Sequence, residues 1–147
     1  MKISIGNDHA AVQEKEAVVQ QLKDLGHEVT NVGTDTTDST DYPDLAALVA
    51  KSVVNQETEL GILICGTGIG MSIAANKVKG IRAALCHSTE TAEKAREHND
   101  ANVICCGARV TSLDDIQAMI ATFVATPFAN GRHQRRVDKM MDLQEGA

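Results

Sequence analysis

Along this 147-residue chain the apolar positions switch repeatedly between a spacing of two and a spacing of three to four. Residues 2–6, Lys-Ile-Ser-Ile-Gly, alternate as a short strand does, and Asn7, Asp8 and His9 follow at its carboxyl end. Ala11, Val18, Leu22 and Leu25 then recur at helical spacing, with Gln13, Glu14 and Glu16 on the other side, and Gly26 fits a helix C-terminal glycine. Residues 27–32 give a second strand, and a Thr/Asp/Ser-rich loop over 34–42 leads to Tyr42-Pro43-Asp44, with Pro43 near the first position of a helix faced by Leu45, Leu48, Val49 and Val53. After a polar turn (55–59), the apolar run Gly61-Ile-Leu-Ile-Cys65 predicts a strand buried on both faces. It ends in Gly66-Thr67-Gly68-Ile69-Gly70, from which Ile73, Ala74 and Val78 carry a helix to Gly80.

The second half repeats the scheme. Residues 81–86 form a strand, Ser88 caps a helix reaching about Asn99, and 102–106 form a fifth strand. Ser112 and Asp115 have capping-box spacing before the stripe Ile116, Met119, Ile120, Phe123 and Val124. Residues 126–131 break that helix, and a last one runs from about Arg132 to Leu143. Alternating strands and helices with short turns predict an α/β fold: a Rossmann-like (flavodoxin-like) three-layer αβα sandwich on a five-stranded parallel sheet, in one domain over 1–147. Ligands of such sheets bind beyond the carboxyl ends of the strands. The extra C-terminal helix, about 131–144, has no strand after it and is expected to pack on a partner subunit.

Composition narrows the partners. A formal net charge of −6 argues against nucleic-acid binding. No apolar run approaches the roughly 20 residues a membrane helix needs, and Met1 leads straight into strand, so a cytoplasmic protein without membrane association is expected. Basic charge nonetheless crowds Arg132, His133, Arg135, Arg136 and Lys139, which suggests a local anion site. Of the four cysteines, Cys86, Cys105 and Cys106 fall in apolar strand-like segments and read as small buried hydrophobes, and no metal-ligand spacing occurs. Only Cys65 stands at a strand end with glycines after it.

The glycine loop is not a dinucleotide fingerprint, because the third glycine is at 70 and Met71 holds the place where G-x-G-x-x-G needs it. It lacks the Gly-Lys-Ser/Thr of a P-loop, and Met71 also stands where a cysteine phosphatase carries arginine. It is not the aspartate-ended strand of a receiver domain either. What remains is a set of backbone N–H groups able to hold a charged oxygen and to favour a thiolate at Cys65. The alternative is a tight turn whose cysteine merely packs. Other candidates divide the same way. Asp8 and His9 are ligand groups or a helix cap with a surface imidazole. His98-Asn99-Asp100 is a source of acid or a solvated helix end. Arg132 and Arg136, at i and i+4, are a phosphate grip or solvated surface. Tyr42 is a packing residue or a lid.

Together these segments resemble type B ribose-5-phosphate isomerases, within the wider family that includes galactose-6-phosphate isomerase subunits. The resemblance rests on Gly6-Asn7-Asp8-His9, Gly33-Thr34, Thr40-Asp41-Tyr42-Pro43, Ile64-Cys65-Gly66-Thr67-Gly68-Ile69-Gly70, Ala74-Ala75-Asn76-Lys77, Gly80-Ile81-Arg82, residues 98–103, Gly107-Ala108-Arg109-Val110 and residues 131–137, in the family's order. It implies a cofactor-free, metal-free aldose–ketose isomerase for ribose 5-phosphate and ribulose 5-phosphate, a homodimer that can pair into tetramers, with active sites at the dimer interface. In the roles so implied, Cys65 is the base, Thr67 with Gly66, Gly68, Ile69 and Gly70 forms the enediolate hole, and His98 is the ring-opening acid. Asp8 orients a substrate oxygen, Asn99 binds a hydroxyl, Tyr42 lines the cleft, and His9, Arg109, Arg132 and Arg136 hold the phosphate. No acidic residue lies between Cys65 and Lys77, which favours the cysteine route over the glutamate of one subgroup. Asn7 departs from the small residue or cysteine of many relatives. The competing readings are an isomerase of a six-carbon sugar phosphate and a non-catalytic phosphosugar- or nucleotide-binding module.

Overall fold

In the computed structural model, which describes residues 1–146, the order is β1 (Lys2–Asn7), α1 (Val12–Asp24), β2 (Glu28–Asn31), α2 (Tyr42–Val54), β3 (Leu60–Cys65), α3 (Ile69–Ala75), β4 (Ala83–Leu85), α4 (Thr89–Glu97), β5 (Val103–Gly107), α5 (Leu113–Ala125) and α6 (Arg132–Glu145). A 3₁₀ turn, His9–Ala11, joins β1 to α1. The five strands are parallel in the order β2-β1-β3-β5-β4. This is the expected three-layer sandwich, but β5 lies inside β4, so the last two strands are exchanged relative to the flavodoxin-like order.

The strand order fixes the layers. Right-handed crossovers that step in the same direction put their helices on the same face. β1→β2 and β4→β5 step one way, and α1 and α4 share a face with α5. β2→β3 and β3→β4 step the other way, and α2 and α3 cover the opposite face. One core therefore holds Val18, Leu22, Ile5, Ile62, Ile104 and the full α5 stripe, with Phe123 completely buried. The other holds Ala46, Val49, Leu63, Met71 and Cys105.

Several expected apolar positions face outward. Leu25 closes α1 at its C-cap and is 55% exposed, and Leu48 and Ile73 are 50% and 56% exposed on α2 and α3. Ala46 and Ala50 join Val49 and Val53 on the inner face of α2, where Val49 lies directly on Gly6 and Gly61 of the sheet. Both helix starts anticipated from serines form: Ser88 makes a capping box with Thr91, and Ser112 accepts from the Asp115 N–H. α6 buries only Val137. It touches the rest of the chain through side chains, with Lys79–Glu145 and the Gly80 N–H to Gln144 at its far end. Among the described residues no helix is long and apolar enough to cross a membrane.

Candidate active site

Burial of β3 on both faces leaves only its carboxyl end open to chemistry, and Cys65 is the last residue there, 5% exposed. The chain turns at once, because Gly68 adopts φ +80, and this brings the Gly68 N–H to 3.1 Å from Cys65 Sγ. Only glycine serves at 68: a Cβ would stand 2.6 Å from Leu85 and 2.9 Å from the Cys106 backbone. The Ile69 N–H donates to Thr67 Oγ1 at 3.3 Å. The N–H groups of Thr67 and Gly70, like those of Gly66 and Met71, make no hydrogen bond within the described chain and are among the donors left for a charged oxygen. Among the described residues no three His, Cys, Asp or Glu side chains gather into a metal-holding group.

The neighbouring strand ends build the walls. Arg109, after β5, lays its side chain over Gly66, and its backbone N–H donates to the Gly66 carbonyl at 2.9 Å. Tyr42 covers Gly70, where a Cβ would come within 2.5 Å of its Cζ. Asp8 is buried beside β3, its N–H bonded to the Ile64 carbonyl at 3.2 Å and one carboxylate oxygen capping the 3₁₀ turn through the Ala10 N–H at 2.9 Å. His9 accepts the Thr40 N–H on Nδ1 at 3.2 Å, so the neutral ring carries its proton on Nε2. Asn7 is fully buried and donates to the carbonyls of Asp8 (2.9 Å) and Thr34 (3.0 Å), tying the Asp8 turn to the 33–36 loop. Lys15, 1% exposed, holds the same loop from below through the Thr34 carbonyl and Asp35. Sequence reasoning missed Lys15, although it stands on the apolar stripe of α1 between Ala11 and Val18 at i, i+4, i+7.

The remaining candidates lie elsewhere. His98 caps the end of α4, ahead of β5, while Cys65 is level with Gly107 at the far end of that strand. Roughly 15 Å of strand separate the two. Asn99 belongs to the same amino-end turn. α6 runs along this end, with His133 stacked on His98 at a centroid distance of 4.2 Å and 12° between rings, and it carries Arg132 and Arg136. Partial burial first, then His98, Arg132 and Arg136, hold His133 below the ordinary imidazole range. The fold thus gathers Cys65, residues 66–70, Asp8, His9, Tyr42 and Arg109 at the carboxyl end, and His98, Asn99, Arg132 and Arg136 at the amino end.

Burial pushes Cys86 up to about 11 and Cys106 up to about 12, and holds Cys105 well above the ordinary thiol range. Two cavities, about 810 Å³ behind the 98–102 turn and about 560 Å³ between β4 and α6, do not include Cys65.

Residues 3–140 match the family described as Ribose/Galactose Isomerase. Ribose-5-phosphate isomerase B of Escherichia coli (strain K12) is 41% identical over 144 residues, covering 98% of this chain and 97% of that one. The structure of ribose-5-phosphate isomerase B from Clostridium thermocellum superposes with a TM-score of 0.97 at 45% identity over 99% of both chains. That of the Mycoplasma genitalium enzyme with bound ribulose 5-phosphate gives 0.94 at 40% identity, over 99% of this chain and 97% of that one.

Proposed function

The chain belongs to the ribose/galactose isomerase family, and on that premise we infer that it interconverts D-ribose 5-phosphate and D-ribulose 5-phosphate in sites shared between two copies. The observation that carries the reading is Cys65 at the end of β3 with an N–H aimed at its sulfur and further free N–H groups beside it. That pairs a base with donors for a developing oxyanion, the two things that removal of a proton next to a carbonyl requires.

The steps draw on groups this chain carries. His98 gives a proton to the ring oxygen as the C1–O4 bond breaks, and the C1 hydroxyl gives its proton to water, from which His98 is recharged, as C1 becomes the aldehyde. Cys65 takes the proton from C2, the electron pair moves onto O1, and the cis-enediolate rests against the N–H groups of Thr67 and Gly70. The same sulfur returns the proton to C1 on the same face, while a proton passes from O2 to O1. Asp8 orients a substrate oxygen, Tyr42 closes over the cleft, and Asn99 binds a hydroxyl. Arg132, Arg136 and Arg109 hold the phosphate with the Nε2–H of His9. Four free cysteines suit a reducing, cytoplasmic setting.

One chain cannot bring His98 to its own Cys65, since they stand at opposite ends of the sheet. A two-fold partner brings its amino-end turn and α6 to the carboxyl end of the first, covering Ile69 and Ile73, which are 51% and 56% exposed beside the loop. The test is complementation. Cys65→Ala and His98→Asn proteins are each expected to be inactive in exchange of the C2 proton of ribose 5-phosphate with solvent. Mixed and re-associated, half the dimers are hybrids holding one complete site, so about a quarter of native activity returns. Sites built within one chain would recover nothing, and that result would overturn the shared-site reading.

A further inference from the structure

The turn that carries His98 and Asn99 is held in an unusual way. Asp100 adopts φ +46, a conformation that non-glycine residues seldom take. Two guanidinium groups fix it there. Arg96 Nη1 donates to Asp100 Oδ1 at 2.9 Å and to the Ala101 carbonyl at 2.7 Å, while its Nε reaches the Thr126 carbonyl at 3.3 Å. Arg82 Nε donates to the Asp100 carbonyl at 2.9 Å, and its Nη2 stands 3.5 Å from Asp100 Oδ2. The Asp100 N–H closes the turn onto the Arg96 carbonyl at 3.1 Å. Both arginine side chains are largely buried, 17% and 14% exposed.

Two further observations separate this arrangement from an ordinary helix end. Behind the turn lies the cavity of about 810 Å³, lined by Arg82, Arg96, Asp100 and Asn102, so no packed wall stops the turn from moving back. Arg82 also extends Nη1 to Met141 Sδ of α6 at 3.5 Å, and α6 returns its His133 onto the His98 ring. The two guanidiniums therefore fix the turn that bears His98, and Arg82 also ties it to the helix bearing Arg132 and Arg136.

We propose that Arg82, Asp100 and Arg96 are positioning residues for ring opening, setting His98 and Asn99 at the correct reach for the Cys65 of the neighbouring copy. The proposal rests on the shared-site reading above. Its signature is a change of rate-limiting step. When His98 is misplaced, ring opening slows and proton abstraction does not. Arg96→Ala and Asp100→Asn should each lose about ten- to a hundredfold in kcat, while the primary isotope effect with 2-deuterated ribose 5-phosphate shrinks toward unity. Arg96→Lys, which keeps the charge without the fork, should recover part of the rate.

Asp100→Asn keeps a residue that tolerates positive φ and so carries the test if Arg96→Ala does not fold. Native kcat in Asp100→Asn, or a loss of rate with the isotope effect undiminished, overturns the proposal. Mixing also separates this proposal from its premise. Arg96→Ala or Asp100→Asn protein combined with Cys65→Ala should regain activity as His98→Asn does, because the hybrid pairs an intact Arg82–Asp100–Arg96 knot with an intact Cys65. Recovery with His98→Asn but not with the knot variants sinks the knot alone. Recovery with neither sinks the shared site.

Discussion

At the carboxyl end of the sheet the candidate groups are set by backbone. Cys65 receives a main-chain N–H, His9 is oriented by one from Thr40, and Gly66 and Gly70 lie directly under Arg109 and Tyr42. At the amino end they are set by charged side chains: Arg82 and Arg96 on Asp100, and an imidazole stack reaching to α6. Main-chain donors emerging from a buried strand do not reorganise as charge develops, which suits a site that meets a transient oxyanion. Side-chain arms over a hollow can shift, which suits groups that must adapt to a second copy. The division teaches where each kind of substitution should act: on proton transfer at one end, on ring opening and the Arg132–Arg136 side of phosphate capture at the other.

The largest effect should come from the sharpest form of that contrast. Cys65→Ala should lose about three orders of magnitude or more in kcat, with phosphosugar binding retained by calorimetry. Arg136→Ala should do the reverse, raising KM by about ten- to a hundredfold for loss of a charge-assisted phosphate contact while sparing kcat. Near-normal turnover in the first variant ends the role of Cys65 as base, and an unchanged KM in the second removes Arg136 from the phosphate grip.

A smaller effect tests the backbone half. In Gly70→Ala the new Cβ would press within 2.5 Å of Tyr42 Cζ and 2.8 Å of its hydroxyl, so the ring must move out of place. A displacement on that scale is expected to cost up to about a hundredfold in kcat/KM, measured at constant thermal stability. Adding Tyr42→Ala to Gly70→Ala should then cost little more, because the ring is already displaced. Full activity in Gly70→Ala would mean that Tyr42 is not a wall of the cleft.

The alternation of periods made the parallel sandwich legible, and the buried run ending in Cys65 made the candidate cluster at the carboxyl end legible, because both follow from local pattern and from where strands must end. The strand order was not legible: periodicity marks strands and helices but carries no sign for the direction of a crossover, so β5 settling inside β4 left no trace. The end at which a group stands does not depend on that direction, because in a parallel sheet every helix-to-strand turn lies at the amino end, and His98 sits in such a turn while Cys65 ends a strand. Leu48 and Ile73 misled because they keep helical spacing while facing outward. Lys15, Arg82 and Arg96 escaped because buried charges look like surface charges until their partners are seen. The local hints were Lys15 on the apolar stripe of α1 and Arg96 and Asp100 at i, i+4.

The smallest effect concerns the sheet interior that both ends share, and it keeps site damage distinct from unfolding. Cys86 and Cys106 are 1% and 0% exposed, with thiols raised to about 11 and about 12 by burial. Below about pH 8.5 these thiols are protonated in folded and unfolded chains alike and do not affect the balance. Above it the unfolded chain releases protons that the native state keeps, so it binds fewer protons and stability falls as pH rises. The contribution from Cys86 is lost as pH climbs to about 11, and that from Cys106 as it climbs to about 12. Each thiol steepens the decline by about 1.4 kcal/mol per pH unit in that window. Cys86→Ala should therefore flatten the pH dependence of unfolding free energy between pH 9 and 11 by about that amount, read from guanidinium titrations. An unaltered slope would mean that Cys86 ionises as freely in the native sheet as in the unfolded chain. Loss of activity above pH 9 would then have to be sought at the two ends, not in the strands between them.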